Sequence, residues 1–210
     1  MTERGNHITI FSVGHSTHTY EGFLALLRHV GVTAVADVRT SPYSRHYSHF
    51  NREVLKDELK LDKIAYSFLG KELGGRPRDR EFYCEGVADY EKMATSDDFK
   101  KGIDRLIEGS TKYKIAMMCS ERDPLDCHRC LLVGRALAEK NISVKHVLSN
   151  GKVVNQIEVE KRLLELASGH SDDLLVPKDE RLADAYRQRA RRVAFSEARL
   201  AGPSDPIAAE

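Results

Sequence analysis

Residues 7–39 of the chain read HITIFSVGHSTHTYEGFLALLRHVGVTAVADVR. The β-branched and aromatic run at 7–14 ends in a glycine and predicts a first strand. Thr19 is placed to cap a following helix, and Gly31 is placed to end it. The run at 32–39 is apolar almost throughout, which is typical of a strand covered on both faces. A strand, a helix and a strand in this order predict a parallel pair joined by a crossover.

The same alternation continues along the chain. Further strands are predicted at 114–119 and 143–149, with a helix from Cys127 between them. The sequence SNGK at 149–152 contains a two-residue hairpin signal. The segment 81–110 has the pattern of two helices. Together these elements predict an α/β fold: a Rossmann-like open, mainly parallel sheet with helices on both faces.

The composition changes after the predicted sheet. Residues 1–168 are expected to form the α/β domain, and residues 169–210 a polar helical extension with a disordered end. The extension contains PKDERLADAYRQRARRVAFSEARLA, which is rich in arginine and poor in large apolar residues. It ends in GPSDPIAAE, which has too few apolar residues to pack.

Charge and hydropathy exclude several classes of protein. The 210 residues carry a formal net charge of +1, so no overall basic field favours nucleic acid. No apolar run approaches the ~20 residues that a membrane span needs. The first residues lack the apolar region of a signal peptide, and we therefore expect a cytoplasmic protein without a membrane partner. In that reducing compartment the four cysteines should be thiols, ligands or redox groups, not structural disulfides.

Reactive side chains follow three of the predicted strands. Ligands of open parallel sheets bind outside the carboxyl ends of the strands, where the connecting loops diverge. We therefore expect these side chains to share one rim of the sheet. They are His15 and Ser16 after the first strand; Asp37, Arg39 and Arg45 after the second; and Cys119, Glu121, Cys127, His128 and Arg129 around the third strand and the next helix.

Four segments resemble a known family in order and spacing: FSVGHST, ADVRTSPYSR, LGKELGG and MMCSERDPLDCHR. The chain is similar over residues 8–167 to the bacterial and archaeal domain-of-unknown-function family 488 (DUF488). The resemblance implies an α/β domain with a Rossmann-like sheet and without a settled activity. It also implies that family members share residues at certain positions, which are here Gly14, His15, Ser16, Asp37, Val38, Arg39, Pro42, Ser44, Arg45, Cys119, Glu121, Cys127, His128 and Arg129. Cys130 and the arginine-rich tail depart from the family pattern.

The leading interpretation is an enzyme acting on a phosphate-bearing or nucleotide-like ligand. A cysteine at a helix N-terminus beside basic residues has a lowered thiol pKa, and the same helix end attracts anions. The expected catalytic residues are Cys119, Glu121, Cys127 and His128. The expected substrate-binding residues are His15, Ser16, Asp37, Arg39, Arg45 and Arg129. Each of these residues taken alone also has a structural explanation, such as a buried thiol or an ion pair.

Two alternatives come from other classes of protein. Cys119, Cys127 and Cys130 could bind zinc or sense oxidants, although they fall short of the four ligands of a closed zinc site. No cofactor is otherwise predicted. The loop at 41–52 alternates aromatic and basic residues, a composition typical of surfaces that stack bases and neutralise phosphates, so nucleic acid is the second alternative. No pattern in the chain predicts an oligomeric state.

Overall fold

The computed structural model describes residues 8–167 and 176–197. The strands are β1 Thr9–Gly14, β2 Ala34–Asp37, β3 Ala65–Phe68, β4 Tyr83–Cys84, β5 Val87–Ala88, β6 Ile115–Cys119, β7 Ser143–Val147 and β8 Val153–Asn155. The helices are α1 Tyr20–His29, α2 Arg52–Leu61, α3 Gly70–Leu73, α4 Tyr90–Thr95, α5 Asp97–Ser110, α6 Arg135–Glu139, α7 Gln156–Ala167 and α8 Lys178–Val193. A π-helical segment, Arg129–Gly134, leads directly into α6.

Six strands form one sheet in the order β3-β2-β6-β1-β7-β8. All neighbours in it are parallel except β7 and β8. The predicted fold class, an open α/β sheet that is mostly parallel, is therefore confirmed. Because β6 lies between β1 and β2, the loops that follow these three strands meet at one edge of the sheet.

Apolar residues cover both faces of the sheet. Phe11 and Val13 of β1 belong to a buried cluster with side chains of α1 and α2. Ile10 of β1 and Met117 of β6 belong to a second cluster, which includes side chains from α3 to α8. Successive strand residues point to opposite faces, so the nearly continuous apolar runs of β1 and β6 supply both clusters.

Local signals placed several elements correctly. The Thr19 hydroxyl accepts a hydrogen bond from the Gly22 N–H at 3.2 Å and caps α1, as predicted. A hairpin forms where it was predicted, but its loop comprises residues 149–151 and not two residues, since the Leu148 N–H donates to the Lys152 carbonyl at 2.8 Å. Gly151 adopts a positive φ of 83° in that turn, which favours glycine.

The prediction of two helices over 81–110 was partly wrong. The helices α4 and α5 form, but residues 83–88 make the two-stranded hairpin of β4 and β5. The turn residues Glu85 and Gly86 have φ values of 52° and 75°. Positive φ at both central positions is the geometry of a tight hairpin turn, and it cannot continue a helix.

The tail helix α8 packs against the sheet domain. Its Ala185 and Tyr186 are buried in the cluster that α7 also joins. The boundary that separates residues 169–210 as an extension stays a prediction, and the disordered end expected at residues 202–210 lies outside the described residues. Within the described ranges, no helix, α8 included, is long and apolar enough to cross a membrane.

A row of polar side chains crosses the core between β1 and α8. The Ser12 hydroxyl lies 3.0 Å from His146 Nδ1, and His146 Nε2 donates to the Gln156 side-chain oxygen at 2.7 Å. The amide of Gln156 donates to the Tyr186 hydroxyl at 2.7 Å, and that hydroxyl donates to the Glu160 carboxylate at 2.8 Å. Each partner is thus satisfied without water, as buried polar groups require.

We expect the free energy of unfolding to decrease as pH falls from about 6.5 to about 4. Burial lowers the pKa of His146 from 6.5 to about 4. The unfolded chain therefore binds a proton in this window that the folded chain does not bind. The contribution, of the order of 3 kcal/mol, is complete above the unfolded pKa and is lost as pH falls through the folded one. Urea unfolding of the wild type and His146→Gln, above and within this window, measures it.

His29→Gln, in the exposed last turn of α1, is the matched control and should keep the pH dependence of the wild type. A His146→Gln variant that loses as much stability as the wild type between the two pH values would contradict the assignment.

Candidate active site

The backbone holds the ends of β1 and β6 together. Gly14 is paired in register with Cys119, and the His15 N–H donates to the Cys119 carbonyl at 2.9 Å. The Ser16 N–H donates to the Ser120 carbonyl, also at 2.9 Å. A side chain at Gly14 would place its Cβ 1.9 Å from the Glu121 carbonyl oxygen. Only glycine allows this approach, so Gly14 fixes the position of the loop that carries Glu121.

The four residues predicted to be catalytic lie together in this loop region. One donor atom from each of Cys119, Glu121, Cys127 and His128 lies within 4.8 Å of the others. Cys127 Sγ is 2.8 Å from Glu121 Oε2. His128 Nδ1 is 3.7 Å from Cys119 Sγ and 3.9 Å from Cys127 Sγ. Two sulfurs, an imidazole nitrogen and a carboxylate oxygen therefore converge at the end of β6.

The orientation of His128 is fixed by the end of β2. Its Nε2 lies 2.9 Å from the Val38 carbonyl oxygen and donates to it. Nδ1 is thereby directed toward the two sulfurs. Gly75 lies against the ring, because a Cβ there would be 2.7 Å from His128 Cγ. The glycine pair that ends LGKELGG thus leaves space for the imidazole.

Cys127 stands at the N-terminus of a helical segment, as predicted. Its backbone is extended, and its carbonyl accepts the N–H groups of Cys130 at 3.1 Å and Leu131 at 3.0 Å. Its sulfur accepts the Arg129 N–H at 3.4 Å, in the manner of a capping side chain. The free N–H groups of this first turn favour negative charge on the sulfur.

Arg129 is the largest fully buried side chain of the described part of the chain. Its guanidinium donates to the carbonyls of Glu121 at 2.7 Å and Arg122 at 3.3 Å, and to the Ser12 hydroxyl at 3.2 Å. Among the described residues, no carboxylate oxygen lies within 4 Å of it. These contacts hold the loop after β6 against β1, and the predicted role of Arg129 in binding substrate stays a prediction.

The two cysteines of the cluster have opposite pKa shifts. Burial raises the pKa of Cys119 well above its usual value, and the negative charge of Cys127 raises it further. Burial alone would also raise the pKa of Cys127. A hydrogen bond with Cys119 and the positive charges of Arg129 and His128 outweigh burial and hold this pKa well below its usual value. Of the two sulfurs, Cys127 is therefore the one on which a negative charge is favoured.

The pKa values of His128 and Glu121 respond to a negative charge on Cys127. Burial would lower the pKa of His128, but the Cys127 charge and its hydrogen bond raise it above its usual value, which favours a positively charged ring facing the sulfur. Glu121 lies at the exposed rim with its carboxyl turned toward the sulfur. Partial removal of this carboxyl from water, together with the Cys127 charge, raises the pKa of Glu121. A proton on this carboxyl is thereby favoured beside the thiolate.

A second polar network borders the cluster at the ends of β1 and β2. Arg39 donates from Nε to one oxygen of the buried Asp37 at 2.9 Å and from Nη2 to the other at 2.6 Å. Tyr66 donates to the same carboxylate at 2.7 Å. Arg39 Nη1 lies 3.3 Å from His15 Nε2. Burial and the Arg39 charge lower the pKa of His15 to about 4, so His15 is neutral and Nε2 accepts.

A cleft of about 290 Å³ opens over the cluster. Its lining includes Cys119, Glu121, His128 and Arg39, whereas Cys127 is buried and does not line it. The remaining lining residues were not predicted from the sequence, and they are Thr40, Ser41, Gly75, Arg76, Tyr90, Asp126, Val193, Ala194, Phe195 and Ser196. Arg76 follows the LGKELGG segment directly, so the resemblance could have pointed to it, whereas nothing local connects 193–196 with the cleft.

The other predicted site residues lie outside the cluster. Ser16 is half-buried with a positive φ of 46°, and Arg45 is exposed and does not line the cleft. Cys130 Sγ lies 3.9 Å from the side-chain oxygen of Gln156, and burial raises its pKa to about 12. Of the cysteines predicted as metal ligands, Cys119 and Cys127 belong to the cluster and Cys130 does not.

The loop at 41–52 is only partly folded away from solvent. Phe50 is buried and stacks on His15 with ring centroids 4.2 Å apart. Tyr47 is half-buried, whereas Tyr43 remains 69% exposed. The aromatic residues therefore do not form one continuous stacking surface, and nucleic-acid binding by this loop stays a prediction.

Comparison with known proteins identifies a family but no activity. The family described as Domain of unknown function DUF488 matches residues 19–136. The matched segment runs from the cap of α1 to α6 and contains the whole cysteine cluster. It begins after His15 and Ser16 and ends before α8. The search of curated proteins found no match. Since the match covers more than half of the chain, the protein belongs to the DUF488 family.

Proposed function

We propose that the protein is an enzyme that uses the Cys127 thiolate as a nucleophile on a small polar substrate bound in the cleft. One observation carries this proposal: the buried cluster of Cys119, Cys127 and His128, with the Glu121 carboxyl 2.8 Å from the Cys127 sulfur. Nucleophilic cysteines need a lowered thiol pKa and a nearby acid or base, and the cluster supplies both.

The chemistry that this arrangement supports is a two-step group transfer. The Cys127 thiolate attacks an electrophilic carbon of the substrate, a sulfur–carbon bond forms, and the bond from that carbon to its leaving group breaks. The protonated Glu121 carboxyl gives its proton to the leaving group. Water or a second substrate then attacks the same carbon and loses a proton to Glu121, which releases the thiolate. A raised carboxyl pKa suits Glu121 to act as acid and then as base.

The other two residues of the cluster have supporting roles in this proposal. The His128 imidazolium stabilises the thiolate, and the Val38 carbonyl fixes its ring. Cys119 provides an S–H group beside Cys127 and lines the cleft. If a peroxide oxidises the Cys127 thiolate to a sulfenic acid, the Cys119 sulfur, which lies within 4.8 Å of it, can attack that sulfur and form a disulfide with loss of water.

The reaction with iodoacetamide should reveal the thiolate through its pH dependence. An ordinary thiol, with a pKa of about 8.5, is still gaining reactivity as pH rises through that value, because the thiolate is the reacting form. The cluster thiol should already have reached its full rate below about pH 7. Rates of labelling at each cysteine, followed by peptide mass spectrometry between pH 5 and pH 9 (roughly the range of ordinary and activated thiols), make the measurement. The pH at which the labelling rate stops rising does not depend on how accessible the sulfur is.

Exposed Cys84 in the same protein is the reference thiol, and Cys84→Ser is the matched variant that should leave the plateau unchanged. Cys127→Ser should remove the labelling seen at low pH. A cluster thiol whose labelling rises through the ordinary range would refute the nucleophile.

Metal binding by the same four residues is the second candidate function. Zinc takes cysteine sulfur, histidine nitrogen and carboxylate oxygen as ligands in tetrahedral sites. These donor atoms lie within 4.8 Å of one another, and His128 donates its other ring N–H to a carbonyl, as metal-bound histidines usually do. Two thiolates and a carboxylate around Zn²⁺ would leave one negative charge, which the neighbouring Arg129 balances.

Zinc retention separates the two candidates. If the cluster is a zinc site, protein incubated with zinc and desalted should keep about one equivalent. Glu121→Gln and Cys119→Ser should reduce this amount, because each removes a ligand. Cys130→Ser is the matched control and should retain zinc, since Cys130 lies outside the cluster. Retention far below one equivalent would reject the metal site.

A further inference from the structure

The chain beyond α8 forms one wall of the cleft. The Ala88 N–H donates to the Phe195 carbonyl at 2.9 Å, and the Glu197 N–H donates to the Gly86 carbonyl at 3.1 Å. Val87 and Ser196 form an antiparallel bridge between these bonds. The segment 194–197 is thus paired with β5 through an isolated antiparallel bridge. This placement brings Phe195 to the lining of the cleft.

The guanidinium of Arg76 lies over the ring of Phe195. The Cζ atom of Arg76 lies 5.0 Å from the ring centroid, within the range of a cation–π contact. The Arg76 N–H donates to Thr40 Oγ1 at 3.0 Å, which fixes its backbone beside the end of β2. Both the ring and the hydroxyl therefore position Arg76 at the mouth of the cleft.

The three arginines near the site differ in the partners of their N–H groups. Arg39 is held by the two oxygens of Asp37, and Arg129 by backbone carbonyls and a serine. Arg76 is exposed and lines the cleft, and no carboxylate oxygen of the described ranges lies within 4 Å of it. Its planar fork of donors is open to a ligand in the cleft.

We propose that Arg76, held over the Phe195 ring, binds an anionic group of the substrate, a carboxylate or a phosphate. The inference rests on the proposed function, because the cleft is the same one that leads to the cysteine cluster. A guanidinium matches either anion with two parallel hydrogen bonds. Arg76 lies inside the matched family segment, whereas segment 194–197, which carries Phe195, lies outside it.

A pair of reagents that differ in charge tests the inference. Iodoacetate and iodoacetamide are nearly equal in size, and only iodoacetate is an anion. We consider the rate of labelling by iodoacetate divided by the rate of labelling by iodoacetamide. In the wild type at low salt, this ratio should be higher at the cluster thiol than at Cys84. Arg76→Gln should lower the cluster ratio about three- to tenfold, since one nearby positive charge is lost. Phe195→Ala should lower it less, because the arginine stays but is no longer held.

The exposed Arg78, which does not line the cleft, provides the matched control, and Arg78→Gln should leave the ratio unchanged. Protection of the thiol from iodoacetamide by inorganic phosphate or by acetate identifies the preferred anion. That protection should require Arg76. A ratio that is the same in the wild type and Arg76→Gln would overturn the inference.

A measurement without thiol chemistry separates this inference from the proposed function. Inorganic phosphate, or acetate if that is the preferred anion, should raise the melting temperature of the wild type and of Arg78→Gln, but not that of Arg76→Gln. An unreactive thiol together with this shift would refute the nucleophile and keep the anion site. A reactive thiol with no such shift for either anion would keep the nucleophile and overturn the anion site.

Discussion

A buried guanidinium is the constraint on which the rest of the site depends. Arg129 is 1% exposed, and taking such a charge out of water costs several kcal/mol unless hydrogen bonds and opposite charge compensate it. Two backbone carbonyls and Ser12 accept hydrogen bonds from it, and a negative charge is favoured on the neighbouring Cys127 sulfur. Ser12 also contacts His146, so it connects Arg129 to the row of polar side chains that ends at the Glu160 carboxylate. The guanidinium thus ties the loop after β6 to β1 and favours the thiolate.

The arrangement of the site depends mainly on the geometry of the backbone. Parallel β1, β6 and β2 bring three loops to one edge, and Gly14 allows the Glu121 carbonyl to approach β1. The Val38 carbonyl at the end of β2 turns His128 toward the sulfurs. The neighbouring pair of Asp37 and Arg39 is satisfied internally, so it acts as a rigid border and leaves Arg76 as the cleft arginine open to a ligand.

The sequence predicted what local patterns control. Apolar runs ending in reactive residues located three strand ends, and their meeting at one edge follows from parallel pairing. The hairpin of β4 and β5 was missed because Glu85 and Gly86 interrupt a stretch that otherwise has helical spacing. The partners of Arg129 are mainly backbone carbonyls, which leave no mark in a sequence. The contact of Phe195 with Arg76 joins residues that are distant along the chain, and no periodicity signals it.

The charge of Cys127 is the central claim, and its most direct test is nuclear magnetic resonance of the Cys127 Cβ carbon in selectively labelled protein. Ionisation of the sulfur changes this chemical shift, so a titration reads the protonation state without any reagent. We expect a thiolate shift at neutral pH that converts to the thiol shift only on acidification. A Cys127 signal that stays in the thiol form up to about pH 8.5, the ordinary range of free cysteine, would contradict it.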